Sequence, residues 1–247
     1  MGRDVRELAS AWSRYQRHAF HSPAPALAPW VERYWEARWD YGEPYRQKIV
    51  PYPNVHLSFG GGRAEVNGVC GGHQIKVLEG RGHVFGVAFR PGCFRPFLGA
   101  SVSTITDRVV SAAEVFGPDL PTTLDVPAMD AFLLKHLPND DPQTRLAAAA
   151  VELIAEDKAV TRVERLAGEL GLSVRGLQRL FAEYVGIGPK WVIRRYRLHE
   201  VTVRMAAGGT IDWAALAADL GYADQGHFIR DFRSMFGEPP AWYAQRY

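Results

Sequence analysis

The chain has 247 residues, 47% of them hydrophobic and 23% charged, with a formal net charge of +2. That balance excludes a disordered chain and fits one large or two medium domains. The longest apolar run, Leu146 to Ala155, holds ten residues including Glu152, where a membrane span needs about 20, and the two cysteines, Cys70 and Cys93, are too few for a disulfide scaffold or a four-cysteine zinc site.

The start, Met1 to Tyr15, carries Arg3, Asp4, Arg6, Glu7 and Arg14 and no apolar core, so it is not read as a signal peptide, and a cytoplasmic location is expected. Residues 50–100 read as strands. Val55 to Phe59 alternates apolar and polar positions, the period of a half-buried strand, and Gly60-Gly61-Gly62 supplies the positive φ of a tight turn. A second strand is expected over His83 to Arg90, with Phe85, Val87 and Phe89 on one face and Pro91-Gly92 closing it. Of the 24 glycines, 11 lie between Gly60 and Gly99, a density that points to short strands and turns in a small antiparallel barrel or sandwich. Asp107 and Arg108 are expected to cap or flank a helix in the Val109–Phe116 segment.

From about Pro127 the pattern becomes helical. Met129, Phe132, Leu133 and Leu137 recur at helical spacing, and the polar stretch Pro138-Asn139-Asp140-Asp141-Pro142 reads as a linker. The expected organisation is α+β: a β-rich N-terminal domain over residues 1–137 with flanking helices, a linker at 138–143, and an all-α domain over 144–247.

The all-α region contains a repeat. Leu166-Ala167-Gly168-Glu169-Leu170-Gly171 matches Leu216-Ala217-Ala218-Asp219-Leu220-Gly221 at an offset of 50 residues. Leu177, Arg179, Phe181, Gly186, Pro189 and Trp191 then match Phe228, Arg230, Phe232, Gly237, Pro240 and Trp242 at an offset of 51, so one residue is inserted just after Gly221. Insertions are tolerated in turns and not in helices, as two copies of one folding unit require. Each copy has a short amphipathic helix (Val163–Leu170, Trp213–Leu220), a glycine suited to the positive φ of a helix end, an N-cap residue (Ser173, Asp224), and a second helix. This is helix-turn-helix spacing. Such units are expected over about residues 161–187 and 211–238, with a joining helix over about 189–206. Phe181, Phe228, Phe232, Trp191 and Trp242 have the spacing of a buried stripe, while Arg194, Arg195 and Arg197 are read on the other faces of the joining helix, in solvent or against phosphate.

The charge is unevenly spread. Segment 161–204 has nine basic and four acidic residues, whereas 205–247 has three basic and five acidic. A local basic patch is the footprint of a polyanion site. In a helix-turn-helix the second helix enters the major groove by its N-terminal part. The exposed positions there are Arg175, Gln178 and Arg179 in the first copy and Gln225, His227 and Arg230 in the second, residue types that hydrogen-bond guanine or adenine edges. Ser173, Lys190 and Arg194 complete the set of expected DNA contacts.

On LAGELGLSVRGLQRLF, IGPKWVIRRYRL and LAADLGYADQGHFIRDFRSMFGEPPAWY, residues of about 145–246 resemble the DNA-binding region of the AraC/XylS family of bacterial transcription regulators. The resemblance implies two recognition helices held about one DNA turn apart. It places the family's base-facing sites on Arg175, Gln178 and Arg179, then on Gly226, His227 and Arg230. Gly226 offers no side chain and the second unit is acidic, which leaves phosphate docking or DNA bending open for that copy beside base reading. VPYPNVHLSFGGG, LEGRGHVFGVAFRPGCFRPFLG and TDRVVSAAEVFG are similar to N-terminal sensor domains that accompany this unit, and in better understood relatives that domain is a cupin-like barrel that binds a small molecule, dimerises, or both. The implied partners are double-stranded DNA, a small-molecule effector or a second copy of the chain, and RNA polymerase for an activator, with no cofactor, no metal, no membrane and no catalysis.

Other chemistry in the first half is weaker. His56, His73 and His83 with Cys70 and Cys93 lack the short ligand spacings of zinc motifs, and Arg81, Arg90 and Arg95 could hold a carboxylate but more commonly face water. No nucleophile–base pair or phosphate loop stands out. The alternatives are a cupin-like enzyme fused to a DNA-binding domain and an architectural DNA binder without an effector.

Overall fold

Two long strands carry the N-terminal half. The computed structural model describes residues 3–247, so residues 1 and 2 of the expected first domain lie outside the described residues. A kinked pair of 3-10 turns over Val5–Arg14 leads into β1 (Gln16–His21), β2 (Val31–Ile49), β3 (His56–Gly60), β4 (Arg63–Asn67), β5 (Gln74–Phe89) and β6 (Val109–Ser111). All six form one sheet in the order β1-β2-β5-β3-β4-β6, with every pairing antiparallel. Its end strands β1 and β6 do not pair with each other, so the sheet is open, and of the expected barrel or sandwich the barrel is corrected: it does not close. The expected strand at His83–Arg90 is the end of the much longer β5. The β3–β4 turn has Gly61 and Gly62 at φ of 58° and 74°, the double positive φ that tight hairpins need.

One face of the sheet is apolar. Tyr34, Leu57, Phe59, Val66, Phe85, Val87 and Phe89 are buried there against Phe94, Val102, Ile105, Phe116, Met129 and Leu133. The latter come from α1 (Arg95–Leu98) and its flank, a 3-10 turn at Val102–Ile105, α2 (Ala112–Phe116) and α3 (Val126–Lys135). On the other face Trp35 and Trp39 lie across Gly86 and Gly82, where a Cβ would fall 2.1 and 2.0 Å from indole carbons. That close approach explains glycine inside a strand. Asp107 and Arg108 cap no helix: Ser111 does so in a capping box with Glu114. Asp107 instead holds φ of 56° and its carboxylate accepts from the Gly71 N–H at 2.7 Å.

The C-terminal half is helical: α4 (Pro142–Glu156), α5 (Val163–Glu169), α6 (Val174–Leu180) with a π turn at Phe181–Val185, α7 (Pro189–Ala206), α8 (Trp213–Asp219), α9 (Gln225–Phe236) and α10 (Pro240–Tyr243). Asp141 caps α4 by accepting from Gln143 N–H, so α4 begins inside the expected linker. Two separate clusters fill this half. One gathers Ala147, Val151, Leu166, Leu177, Phe181, Val192 and Ile193, and the other gathers Leu198, Val201, Leu216, Phe228, Phe232 and Phe236.

Candidate nucleic-acid interface

The two sequence copies fold alike at the turn and at the cap of the second helix, and differ at its end, where Gly186 N–H donates to Phe181 C=O in a π turn and Gly237 N–H donates to Arg233 C=O in an α-turn. In the first, Gly171 has φ of 65° and Leu172 N–H donates to Ala167 C=O at 2.9 Å. In the second, Gly221 has φ of 71° and Tyr222 N–H donates to Ala217 C=O at 2.9 Å. These are the left-handed ends that let each first helix stop sharply, which a Cβ would strain. Each second helix then starts on a side-chain cap. Ser173 Oγ accepts from Gly176 N–H at 3.0 Å, and Asp224 Oδ1 accepts from His227 N–H at 2.7 Å. The joining helix α7 spans the expected residues 189–206.

These caps fix which side chains stand outward on the first turn of α6 and α9. Ser173, Arg175, Gln178 and Arg179 are all exposed on α6 and its cap, and Gln225, His227 and Arg230 are exposed on α9. Lys190 is exposed at the start of α7. The Arg230 guanidinium runs back over Gly226, with Nη1 3.4 Å from where a Cβ would stand. His227 meets Tyr222 edge to face, ring centres 5.4 Å apart, so its ring is steered rather than free.

Other expected contacts are placed differently. Arg194 is half-buried and pairs with Asp231 on α9 at 3.4 Å. Arg197 is half-buried, donates to Leu220 C=O and stacks over Tyr222 at 4.6 Å. Arg195, read on an outer face of its helix, is 3% exposed. Its Nε donates to Pro51 C=O at 2.7 Å and its guanidinium lies 4.0 Å from the Tyr52 ring centre. Burial pushes its pKa below the ordinary arginine value. Trp242, read as core, is 44% exposed, because α10 is a single turn at the edge of its cluster.

Arg195 belongs to a set of contacts between the two halves that sequence reasoning missed. Its one signal is position, three residues after Val192 and three before Leu198, on the buried stripe of α7. Thr106 Oγ1 donates to Gly186 C=O at 2.5 Å, Arg95 pairs with Glu183 at 2.6 Å, and Trp191 Nε1 donates to Gly71 C=O at 2.7 Å. On the second unit, Glu238 meets Arg3, Lys48 and Arg246 at 3.0 to 3.1 Å. Burial pushes the Glu238 carboxyl up, but Arg246 and Lys48 outweigh that and hold it below its usual value. Glu183 and Gly186 follow α6, Glu238 follows α9, and Trp191 and Arg195 lie on α7, so none of these contacts uses the exposed first turns of α6 and α9.

The remaining candidates of the first half are dispersed. His56 Nδ1 accepts from Trp35 Nε1 at 3.2 Å, His83 Nε2 lies 3.1 Å from Glu36, and His73 packs on Gly237. Cys93 is buried and its thiol is pushed up to about 12 by burial, while Cys70 is half-buried. Among the described residues no group of three or more His, Cys, Asp or Glu stands so as to hold a metal ion. Arg81 pairs with Asp40, Arg90 donates to Ala28 C=O, and Arg95 pairs with Glu183, three unrelated places. Among the described residues no helix is long and apolar enough to cross a membrane.

Comparison with known proteins follows the same division. A helix-turn-helix domain family matches residues 166–246, and a domain family of unknown function, DUF6597, matches residues 19–111. The XylDLEGF operon transcriptional activator 1 of Pseudomonas putida is 33% identical over 94 residues, which is 37% of this chain and 28% of that relative. The match thus spans little more than a quarter of that relative's length. A probable AraC family transcriptional regulator from Rhodopseudomonas palustris, a solved structure, is 31% identical, with 41% of this chain covering 96% of that chain and a TM-score of 0.36. The chain belongs to the AraC/XylS family. ToxT of Vibrio cholerae, at 10% identity and a TM-score of 0.44, aligns over 94% of this chain and 98% of its own. In this AraC/XylS member Gly237-Glu238-Pro239 forms the turn between α9 and α10, with Gly237 at φ of 79°.

Proposed function

We propose that the protein is a sequence-specific DNA-binding transcription regulator whose two helix-turn-helix units read adjacent major grooves. The observation that carries this reading is the pair of equivalent, side-chain-capped helices with exposed first turns. Arg175, Gln178 and Arg179 on α6 and Arg230 with His227 and Gln225 on α9 are the base readers, since arginine bonds guanine bidentately and glutamine or asparagine bonds adenine. Ser173 and Lys190 contact phosphate, and Arg194 supports α9 through Asp231.

The N-terminal domain, residues 1–137, acts as the sensor, in the role that cupin-like domains take in relatives, and the chain acts without catalysis of its own. A cleft of about 540 Å³ between the sheet, α4 and α7, lined by Tyr52, Tyr196, His199, Arg33 and Arg90 among others, is of a size that takes a small-molecule effector. An effector that prefers one arrangement of the two halves shifts DNA affinity by that preference. Dimerisation through the N-terminal domain and contact with RNA polymerase belong to the same reading, in a cytoplasmic protein.

Selection of bound duplexes from a random pool tests the reading. Enrichment of a motif with two boxes about 10 base pairs apart, centre to centre, supports it. Recovery of unenriched sequence contradicts it and favours an architectural binder.

A further inference from the structure

We infer that the loop Cys70-Gly71-Gly72-His73 of the N-terminal domain sets the spacing of the two DNA boxes, by holding both helix-turn-helix units at one separation and angle. This rests on the DNA-reading function proposed above.

The two units have no buried core in common. The first packs on Val192 and Ile193 in the first half of α7, and the second on Leu198, Val201 and Met205 in the second half. Between them runs a helix of 18 residues, about 27 Å long. Each unit is seated on its own half of α7, so the angle between them depends on how both are held against that helix. Trp191 is half-buried and packs against both clusters, which makes it the joint between them.

The loop grips that joint and both flanking turns. Gly71 C=O accepts from Trp191 Nε1 at 2.7 Å. A Cβ on Gly71 would stand 3.9 Å from Ile187 Cδ1, in the Gly186-Ile187-Gly188-Pro189 turn that closes the first unit. His73 lies against Gly237, in the corresponding turn of the second unit: a Cβ there would fall 2.5 Å from the imidazole. Gly186 and Gly237 are equivalent positions of the repeat, 51 residues apart. One short loop therefore touches the same turn in both copies and the joint in the middle. It is itself fixed, because Asp107 Oδ1 accepts from Gly71 N–H at 2.7 Å and Thr106, beside it, donates to Gly186 C=O. Arg195, bonded to Pro51 C=O, ties the middle of α7 to the same domain.

Adding one base pair between two boxes moves the second by about 3.4 Å and turns it by about 35°. A rigid pair of readers rejects that change, and a loosened pair accommodates it. His73 and Trp191 are positioning residues in this account, since neither is assigned to touch DNA.

The test uses the full chain, wild type and the variants His73→Ala, Trp191→Phe and both together, with duplexes carrying the two wild-type-selected boxes at the selected spacing and at one base pair more or less. Fluorescence anisotropy gives each Kd. The wild type is expected to lose on the order of tenfold at the altered spacings, and the variants to lose less than about threefold, with box sequence preference unchanged. A purely structural role would lower all affinities together and leave the spacing profile intact, and that profile in folded variants overturns the inference. His73 is exposed, so His73→Ala carries the test even where Trp191→Phe melts early. If the wild type selects no paired boxes, the DNA-reading function falls and the spacing role with it. If it does, the variant profile decides the spacing role alone.

Discussion

The guanidinium of Arg195 lies 4.0 Å from the ring centre of Tyr52, although 143 residues separate them in the chain. One is in the middle of the joining helix and the other just before β3, so this stack ties the two halves at the centre of their contact. Arg195 is buried, with its Nε bonded to Pro51 C=O. Replacing it by alanine removes the stack, the hydrogen bond and the packing of its stem, and is expected to cost about 2–4 kcal/mol. Lysine lacks the planar fork and is expected to restore less than half of that. Urea unfolding of both variants measures it, and a change below about 0.5 kcal/mol for Arg195→Ala would refute the tie.

The two caps make a matched pair of predictions. Ser173→Ala and Asp224→Ala each free one backbone N–H at the start of a recognition helix and are expected to cost about 1 kcal/mol. Glycine at the same positions should cost only a few tenths. Thermal unfolding of the four variants checks this. Equal losses for alanine and glycine would mean that the hydroxyl and carboxylate do not act as caps.

Much of the helical half is legible in the sequence because its signals are local. The repeated Leu-Ala-x-x-Leu-Gly, the caps at Ser173 and Asp224 and the stripe of α7 lie within a few residues of what they determine. The N-terminal sheet is less legible. β2 runs 19 residues, and although Trp35 to Tyr41 alternates apolar and charged side chains, its buried residues Val31, Tyr34, Tyr41 and Tyr45 do not keep one parity, because register shifts between Val31 and Arg33 and between Tyr41 and Tyr45 break its period. The openness of the sheet depends on β1 and β6 failing to meet, which no local pattern records. Arg195 reads as a surface residue because its partners come from Pro51 and Tyr52, and charge in a helix usually faces water.

His56 gives stability a particular pH dependence. Burial pushes its pKa down from 6.5 to about 4, with the charge of Arg33 adding to it, and its Nδ1 accepts the Trp35 indole N–H. Between these two values the unfolded chain takes up a proton that the folded protein refuses. Stability from this group is therefore complete above about pH 6.5 and is lost as pH falls toward 4, by on the order of 3 kcal/mol in all. Urea titrations at pH 7 and at about pH 4.5 should show a smaller fall for His56→Asn than for the wild type. Parallel behaviour of the two proteins would contradict a neutral, half-buried His56.

The two units should read DNA with unequal weight. Segment 161–204 is basic and segment 205–247 is acidic, so the second unit gains less from phosphate. Arg179→Ala is expected to cost about 1–3 kcal/mol on the selected duplex, and Arg230→Ala less. Kd values at one fixed salt concentration decide it. A loss at Arg230 equal to or above that at Arg179 would reverse the assigned asymmetry.

The central claim is that two capped helices each read their own box. The direct measurement is selection from one random duplex pool by wild type, Arg179→Ala and Arg230→Ala in parallel. The account predicts two boxes for the wild type, degeneracy confined to the first unit's box for Arg179→Ala, and degeneracy confined to the other box for Arg230→Ala. A weakening of both boxes together in either variant, or an unchanged motif in both, would contradict it.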